Sequence, residues 1–311
     1  MMRKKSDNIA YLFLLPALVI ILIFRFYPIL QAIGMSFYNW SIAGPLKFIW
    51  FKNYYRLFID PKFYQSLLNT VWYLLGVVPL TIIISLIIAY FLNQKIKGQS
   101  VYRTIYFLPV VTSIVAISVV WRWILNPDRG LFNAIFNFLG IGNLRWLNDP
   151  RGIFEVLFNT KLNGIMAGPS IALCCLMIMA IWHNLGYCIM ISLAGLQNIP
   201  AQYYEAAKID GAKGWHLFRY ITLPILSPTI FYLVVTQSII AFNTFTPVYV
   251  MTQPPGGPLG TTTLVVYYLY EQSFRLWNLG YANAIAFVVF IIIFTLTKVQ
   301  QKFLEQRVYY E

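Results

Sequence analysis

The sequence predicts an all-α membrane protein of about six transmembrane helices, with both termini in the cytoplasm. Three observations carry this expectation. Of the 311 residues, 59% are hydrophobic and only 11% are charged, and the mean hydropathy is +0.66. A soluble domain of this size carries about 25% charged residues. Six stretches, at 9–32, 68–92, 103–124, 171–195, 223–250 and 277–297, approach the length a helix needs to cross a bilayer core. All ten Asp and Glu residues fall outside them. Finally, with the N-terminus inside, twelve Lys and Arg fall in about 60 inner residues and nine in about 110 outer residues, the asymmetry of the positive-inside rule.

The first span follows Arg3, Lys4 and Lys5 and holds no charge from Asn8 to Phe24. That opening resembles a signal peptide, but no small-residue cleavage site follows, so a retained span is expected. Arg25 and Arg122 lie near span ends, where long cations reach the headgroups. The outer loops, 33–67, 125–170 and 251–276, are rich in Trp, Tyr, Asn, Pro and Gly. Within them "GLFNAIFNFLG" (130–140) and "RGIFEVLFNT" (151–160) read as short amphipathic helices at the interface. Cys174, Cys175 and Cys188 share one apolar run and read as buried free thiols. The division expected is a tail, first span and outer loop over 1–67, a five-span core over 68–303, and a tail over 304–311.

The net charge of +13 is assigned to basic loops at a membrane surface, and nucleic acid is not an expected partner. Several function classes lack their residues. The chain has no G-x-x-x-x-G-K-[ST] phosphate loop, no H-E-x-x-H and no G-x-S-x-G. Its two histidines, His183 and His216, are far apart in sequence. An ion-coupled secondary transporter, the alternative from another class, would need intramembrane acids or paired inverted repeats, and neither is visible. No enzyme activity, metal or cofactor is expected in this chain.

One inner segment breaks the apolar run: "IPAQYYEAAKIDGAKGWHLFRYITLP", residues 199–224. Pro200 suits a helix start, "AQYYEAAKID" is a good helix former, and Gly211 falls where a left-handed cap residue is expected. "AKGWHLFRYI" forms a second short helix leading to Pro224. Ala206, Ala207 and Ala212 permit close approach by a partner, and Trp215, Leu217 and Phe218 offer apolar area. Two readings stay open on these grounds: a knob seated in a partner's groove, or an interfacial helix touching only lipid headgroups.

Glu205-Ala206-Ala207, Gly211, Ile221 and Leu223-Pro224 stand at the spacing EAA---G---------I-LP. This signature resembles that of the membrane subunits of binding-protein-dependent ABC importers. "YLFLLPALVIILIFRFYPI", "MSFYNW", "FKNYYRLFID", "AGLQNIP" and "GGPLGTTTLVVYYLYEQSF" extend the likeness to the maltose-type carbohydrate-uptake permeases, the MalF-like subunit. Two stretches depart from that pattern: 151–170 is longer than expected, and "TQPPGGP" (252–258) carries a Pro pair.

The resemblance implies a type I importer permease fold in a prokaryotic plasma membrane. It implies a second homologous permease, two ATPase subunits holding ATP and Mg2+, an extracytoplasmic solute-binding protein and a sugar as partners. It also assigns Glu205, Ala206, Ala207, Asp210, Gly211, Ile221, Leu223 and Pro224 to coupling with the ATPase. A permease for another polar solute, such as glycerol phosphate, is the alternative within the class.

Sugars are held by aromatic faces and amide or hydroxyl groups in a mostly apolar pocket. Trp182, Asn184, Leu185, Gly186 and Tyr187 in the fourth span, and Asn243, Thr244 and Phe245 in the fifth, supply such groups. In the maltose-type family these two regions line the sugar site. The same residue types also serve as helix–helix contacts, and a helix break at Pro247 would free carbonyls toward a cavity.

Overall fold

The structure is a computed structural model, described here for residues 3–94, 98–140, 142–162 and 164–304. In chain order its elements are α1 (the apolar stretch Leu12–Ser36), β1 (Tyr38–Ser41), β2 (Gly44–Phe48), α2 (Lys52–Ile59), α3 (Pro61–Leu92), α4 (Gln99–Val111), α5 (Ile114–Ile124), α6 (Leu131–Phe138) and α7 (Ile153–Phe158). They continue with α8 (Ile171–Gln197), α9 (Ala201–Ile209), α10 (Trp215–Ile225), α11 (Ser227–Phe242), α12 (Thr246–Met251), α13 (Val265–Tyr270) and α14 (Leu279–Leu304). Among the described residues four helices, α1, α3, α8 and the Leu279–Phe303 part of α14, are long and apolar enough to cross a membrane unaided. The count is six if the bent pairs α4–α5 and α10–α11 are each one span.

The two bends have local causes. Between α4 and α5 the chain turns by 99°, with extended backbone at Thr112 and Ser113. Pro109, two residues before the end of α4, lacks the N–H that would have bonded one turn back. Between α10 and α11 the turn is 65°, centred on Leu226 and flanked by Pro224 and Pro228. Pro228 donates nothing to the Pro224 carbonyl, and the Ser227 hydroxyl donates to it instead.

The chain forms two compact units. The first comprises residues 1–60 and 269–291. The apolar window of α1 has no buried residue, as expected of a helix whose solvent is lipid or another subunit. After α1 comes an antiparallel β1–β2 hairpin with an irregularity at Asn39/Trp40, within the stretch 33–67 that the sequence predicts as an outer loop. Its turn uses Gly44 at φ +104°, open to glycine at no steric penalty. Buried Asn53 secures the hairpin base by donating to the Ser36 and Tyr38 carbonyls at 2.7 and 3.0 Å. Tyr281 donates to Asp60 at 2.6 Å, and the Arg56 guanidinium lies 4.2 Å over the Tyr281 ring.

The second unit comprises 61–268 and 292–311. Its centre is the pair α3 and α8, which run in the same direction. Asn69 near the start of α3 donates to the Gly260 and Thr263 carbonyls, and Ser170 at the start of α8 donates to Thr261. At the other end Ala89 and Leu92 pack with Ile189, Leu193, Leu196, Ile199 and Leu226. Close approach requires glycine at Gly186, where a Cβ would sit 2.2 Å from the Tyr106 carbonyl oxygen of α4.

The expected short helices of the 125–170 loop are present as α6 and α7. Asn133 of α6 is buried, donating to Pro127 and Leu144 and accepting from the Leu144 N–H and the Trp146 indole. The long 151–170 segment is closed at its base by pairing of Gly152 with Ser170. Both Glu155 oxygens accept backbone N–H groups, from Gly152 at 2.8 Å and Leu162 at 3.1 Å. Asp149 accepts from the Arg151 guanidinium at 2.6 Å, and that cation holds its carboxyl below the usual carboxylate range.

Candidate functional site

The 199–224 segment folds as helix, bend, helix. Pro200 sits at the N-cap of α9 in an extended conformation. The helix ends at Asp210, and Gly211 follows at φ +84°. The Gly211 N–H donates to the Lys208 carbonyl at 3.0 Å and the Ala212 N–H to Ala207 at 2.9 Å, the paired bonds of a Schellman cap. Nothing lies within 4 Å of where a Gly211 Cβ would be, so the requirement for glycine here is conformational and not steric. Gly214, at φ +48°, restarts the chain into α10.

The segment is anchored at its base and exposed at its tip. Ile199 and Leu226, at its two ends, are buried in the cluster formed by α3 and α8. Tyr204 packs on that cluster, and its hydroxyl bonds the side chain of buried Thr222 at 3.0 Å. Ile221 and Leu223 are half-buried beside Thr222, and Pro224 is exposed. The outward face of α9 is Gln202, Glu205, Ala206 and Ile209, all exposed, at the i, i+3, i+4, i+7 spacing of one helical face. Ala207 is half-buried on the inner side. Among the described residues the Glu205 carboxylate has neither an ion pair nor a hydrogen bond, and Ile209 is 87% exposed. Gln202 and Ile209 escaped the sequence reading. Their signal was the helical spacing to Glu205, which shows only when the inner face is known.

The candidate path residues fall into separate contacts. Trp182 lies 5.9 Å from Trp121 of α5, ring centre to ring centre. Asn184 donates back to the Ala180 carbonyl of its own helix at 2.9 Å. Leu185 packs on the α3–α8 cluster, and Gly186 provides the close approach to α4. Tyr187 bonds Tyr232 of α11 through the two hydroxyls at 2.8 Å. Asn243, Thr244 and Phe245 form the helix break between α11 and α12, with Pro247 in the first turn of α12. Asn243 and Thr244 donate back to the Ile239 and Ile240 carbonyls. Thr244 is also hydrogen-bonded to Tyr73 of α3, and Phe245 stacks on Tyr249 at 5.4 Å and on Tyr267 at 6.2 Å.

These two groups stand at different heights. Gly76 of α3 lies against the Met177 sulfur of α8, which sets the two helices in register. Tyr73, three residues toward Pro61, is bonded to Thr244. At 1.5 Å per residue this places Thr244 about 10 Å nearer the Ile171 end than Trp182. Counting from the Tyr187–Tyr232 bond gives about the same offset. The path material is therefore spread along the bundle. Tyr73, Trp121 and Tyr232 join it without having been visible in the sequence, since each comes from another helix.

A model of the family of binding-protein-dependent transport system inner membrane components matches residues 61–310. The chain is 36% identical over 311 residues to a probable ABC transporter permease protein, YesP, of Bacillus subtilis, covering 99% of this chain and 94% of that one. It is 34% identical over 303 residues to the lactose transport system permease protein LacF of Rhizobium radiobacter, covering 96% and 95%. In fold it is similar to a chain of a bacterial alginate ABC transporter solved in complex with an alginate pentasaccharide-bound periplasmic protein. The TM-score there is 0.78 at 22% identity, over 96% of this chain and 94% of that chain.

Proposed function

The chain belongs to the family of binding-protein-dependent transport system inner membrane components, and from that premise we propose that it is one permease half of an ATP-driven importer for a sugar or oligosaccharide. It is a multi-pass plasma-membrane protein by family and by its apolar helices. The carrying observation is the exposed face of α9 on a buried base. Glu205, which has no ion pair or hydrogen bond among the described residues, projects with Gln202, the small Ala206 and the exposed Ile209 from a segment pinned by Ile199, Tyr204, Thr222 and Leu226. Such a face fits a groove in a cytoplasmic ATPase subunit, with Glu205 toward a basic side chain and Ile209 filling an apolar pocket. Asp210 and Gly211 cap the helix, and Ile221, Leu223 and Pro224 carry the motion into α10.

In this reading ATP and Mg2+ are bound by two partner ATPase subunits. Closure of the ATPases pushes α9, and the rigid base transmits that displacement to α3 and α8, tilting the pathway between inward-open and outward-open forms. A second permease completes the pathway, and an extracytoplasmic binding protein delivers the solute. A sugar as solute is supported by the relative named for lactose and by the aromatic and amide groups at Trp182, Asn184, Tyr187, Asn243, Thr244 and Phe245. Because those groups lie about 10 Å apart along the bundle, a solute of two or more sugar rings can touch both levels at once.

The test is reconstitution of the chain with the second permease, the ATPases and the binding protein in proteoliposomes. ATP-dependent uptake of a disaccharide or longer sugar is expected, with no ATP hydrolysis by this chain alone. Uptake that follows an ion gradient without ATP would overturn the reading.

A further inference from the structure

The 214–218 turn contributes to an apolar groove whose lining includes none of the exposed α9 residues Gln202, Glu205, Ala206 and Ile209. Ile87, Tyr90 and Phe91 of α3, with Gly214, Trp215 and Phe218, line a cavity of about 330 Å³. That volume falls within the range of small-ligand sites. The lining is almost wholly apolar, and its rings touch one another: Phe218 meets Tyr90 edge-on at 5.3 Å and lies tilted against Trp215 at 5.4 Å.

Two features decide the occupant. The groove is the last step of an exposed apolar stripe along α3, Leu80, Ile83, Ile87 and Phe91, at three- and four-residue spacing. A stripe of that kind on a membrane-spanning helix faces acyl chains. Next in the chain to the lining residues Gly214 and Phe218 are the exposed cations Lys213 and Arg219. Trp215 itself is exposed, as an indole at a membrane–water interface is. An apolar slot opening onto the hydrocarbon, with an indole in its lining and two cations next to that lining in the chain, has the chemistry of one ligand class.

We propose that this groove is a binding site for an anionic phospholipid, with an acyl chain along Ile87, Phe91 and Trp215 and the phosphate headgroup on Lys213 and Arg219. The site sits on the segment that carries the α9 ridge, so the lipid braces the outer side of the bend while the ridge stays free. Its existence does not depend on which solute is carried.

The experiment uses the full chain in vesicles containing phosphatidylglycerol or phosphatidylcholine with brominated acyl chains. Trp215 quenching is taken as the difference between wild type and Trp215→Phe. Stronger quenching by the brominated phosphatidylglycerol is expected. The Lys213→Gln/Arg219→Gln double variant, which keeps Trp215, should lose that preference, by about fivefold in apparent affinity per cation removed. Native mass spectrometry of the purified chain supplies an independent readout: retained phosphatidylglycerol that the double variant releases. Equal quenching by both lipids would reduce the groove to ordinary annular contact. Absence of quenching by either would mean that no acyl chain enters the groove. Either result overturns the proposal.

Discussion

The Tyr204 hydroxyl lies 3.0 Å from the Thr222 side-chain oxygen, joining the first short helix of the 199–224 segment to the second across the Gly211 bend. Thr222 also reaches the Leu217 carbonyl at 3.3 Å, so one hydroxyl ties the whole turn together. Tyr204→Phe removes the strap while keeping the ring on its cluster. The expected loss is about 0.5–1.5 kcal/mol locally, seen as slower uptake per ATP hydrolysed with unchanged insertion. Wild-type stoichiometry in Tyr204→Phe would show that the strap is not needed for transmission.

Gly211 gives a graded series. Its φ of +84° and the empty space around it make the penalty purely conformational. Asn tolerates the left-handed region best among the other residues, and Ala pays about 1 kcal/mol or more. Pro additionally loses the donor to Lys208 and is held near φ −65°. Co-purification of the ATPase should therefore fall in the order Gly, Asn, Ala, Pro. Pro at wild-type association and uptake would remove the segment from the coupling role.

Gly186 is expected to act through packing. A Cβ there would meet the Tyr106 carbonyl at 2.2 Å, which is backbone and cannot swing aside. Gly186→Val should push α4 off α8 and lower the thermal midpoint of the detergent-solubilised chain, by an overpacking cost of about 1–3 kcal/mol. An unchanged midpoint with impaired uptake would instead place Gly186 on the solute path.

Trp182→Ala and Phe245→Ala separate the two levels of the path. Each removes ring contacts worth about 0.5–1.5 kcal/mol beyond area burial, with the complex intact. Both should slow the uptake of a long sugar, measured with radiolabelled substrate. If neither variant changes uptake kinetics, the rings of Trp182 and Phe245 serve packing against Trp121 and Tyr249.

The Asp149–Arg151 pair adds a pH dependence to the outer loop. The folded pKa of Asp149 is depressed by the guanidinium of Arg151. Its contribution is thus fully present above the unfolded carboxylate value and is lost as pH falls through the lower folded value. Arg151 is largely exposed, which keeps the effect on the order of 1 kcal/mol or less. Proteolysis of the 149–171 segment should rise on acidification below the ordinary aspartate range, and Asp149→Asn should show the raised rate at neutral pH. Identical cleavage of both proteins at every pH would leave the pair without a holding role.

The membrane class, the spans and the bend at Gly211 were all legible in the residues. They rest on local quantities: apolar length, the absence of acids from spans, and a glycine where a helix must end left-handed. The exposed face of α9 was half legible. Glu205, Ala206 and Ala207 could be picked out by spacing, but Ile209 and Gln202 joined Glu205 only once Tyr204 was found on the buried side. The hairpin Tyr38–Phe48 escaped because its strands are held by Asn53, fifteen and seventeen residues from the carbonyls it binds. The angles of 99° and 65° within the third and fifth spans were not readable either. Proline removes a donor wherever it stands, but how far the helix then bends is set by what packs on each side. Tertiary structure alone decided the heights of Trp182 and Thr244. Their separation depends on the registers of α3 and α11 against α8, the first fixed by Gly76 against Met177 and the second by Tyr187 with Tyr232. Hydropathy puts a helix in the bilayer, but it carries no information on sliding along a neighbour, which only contacts between distant residues can set.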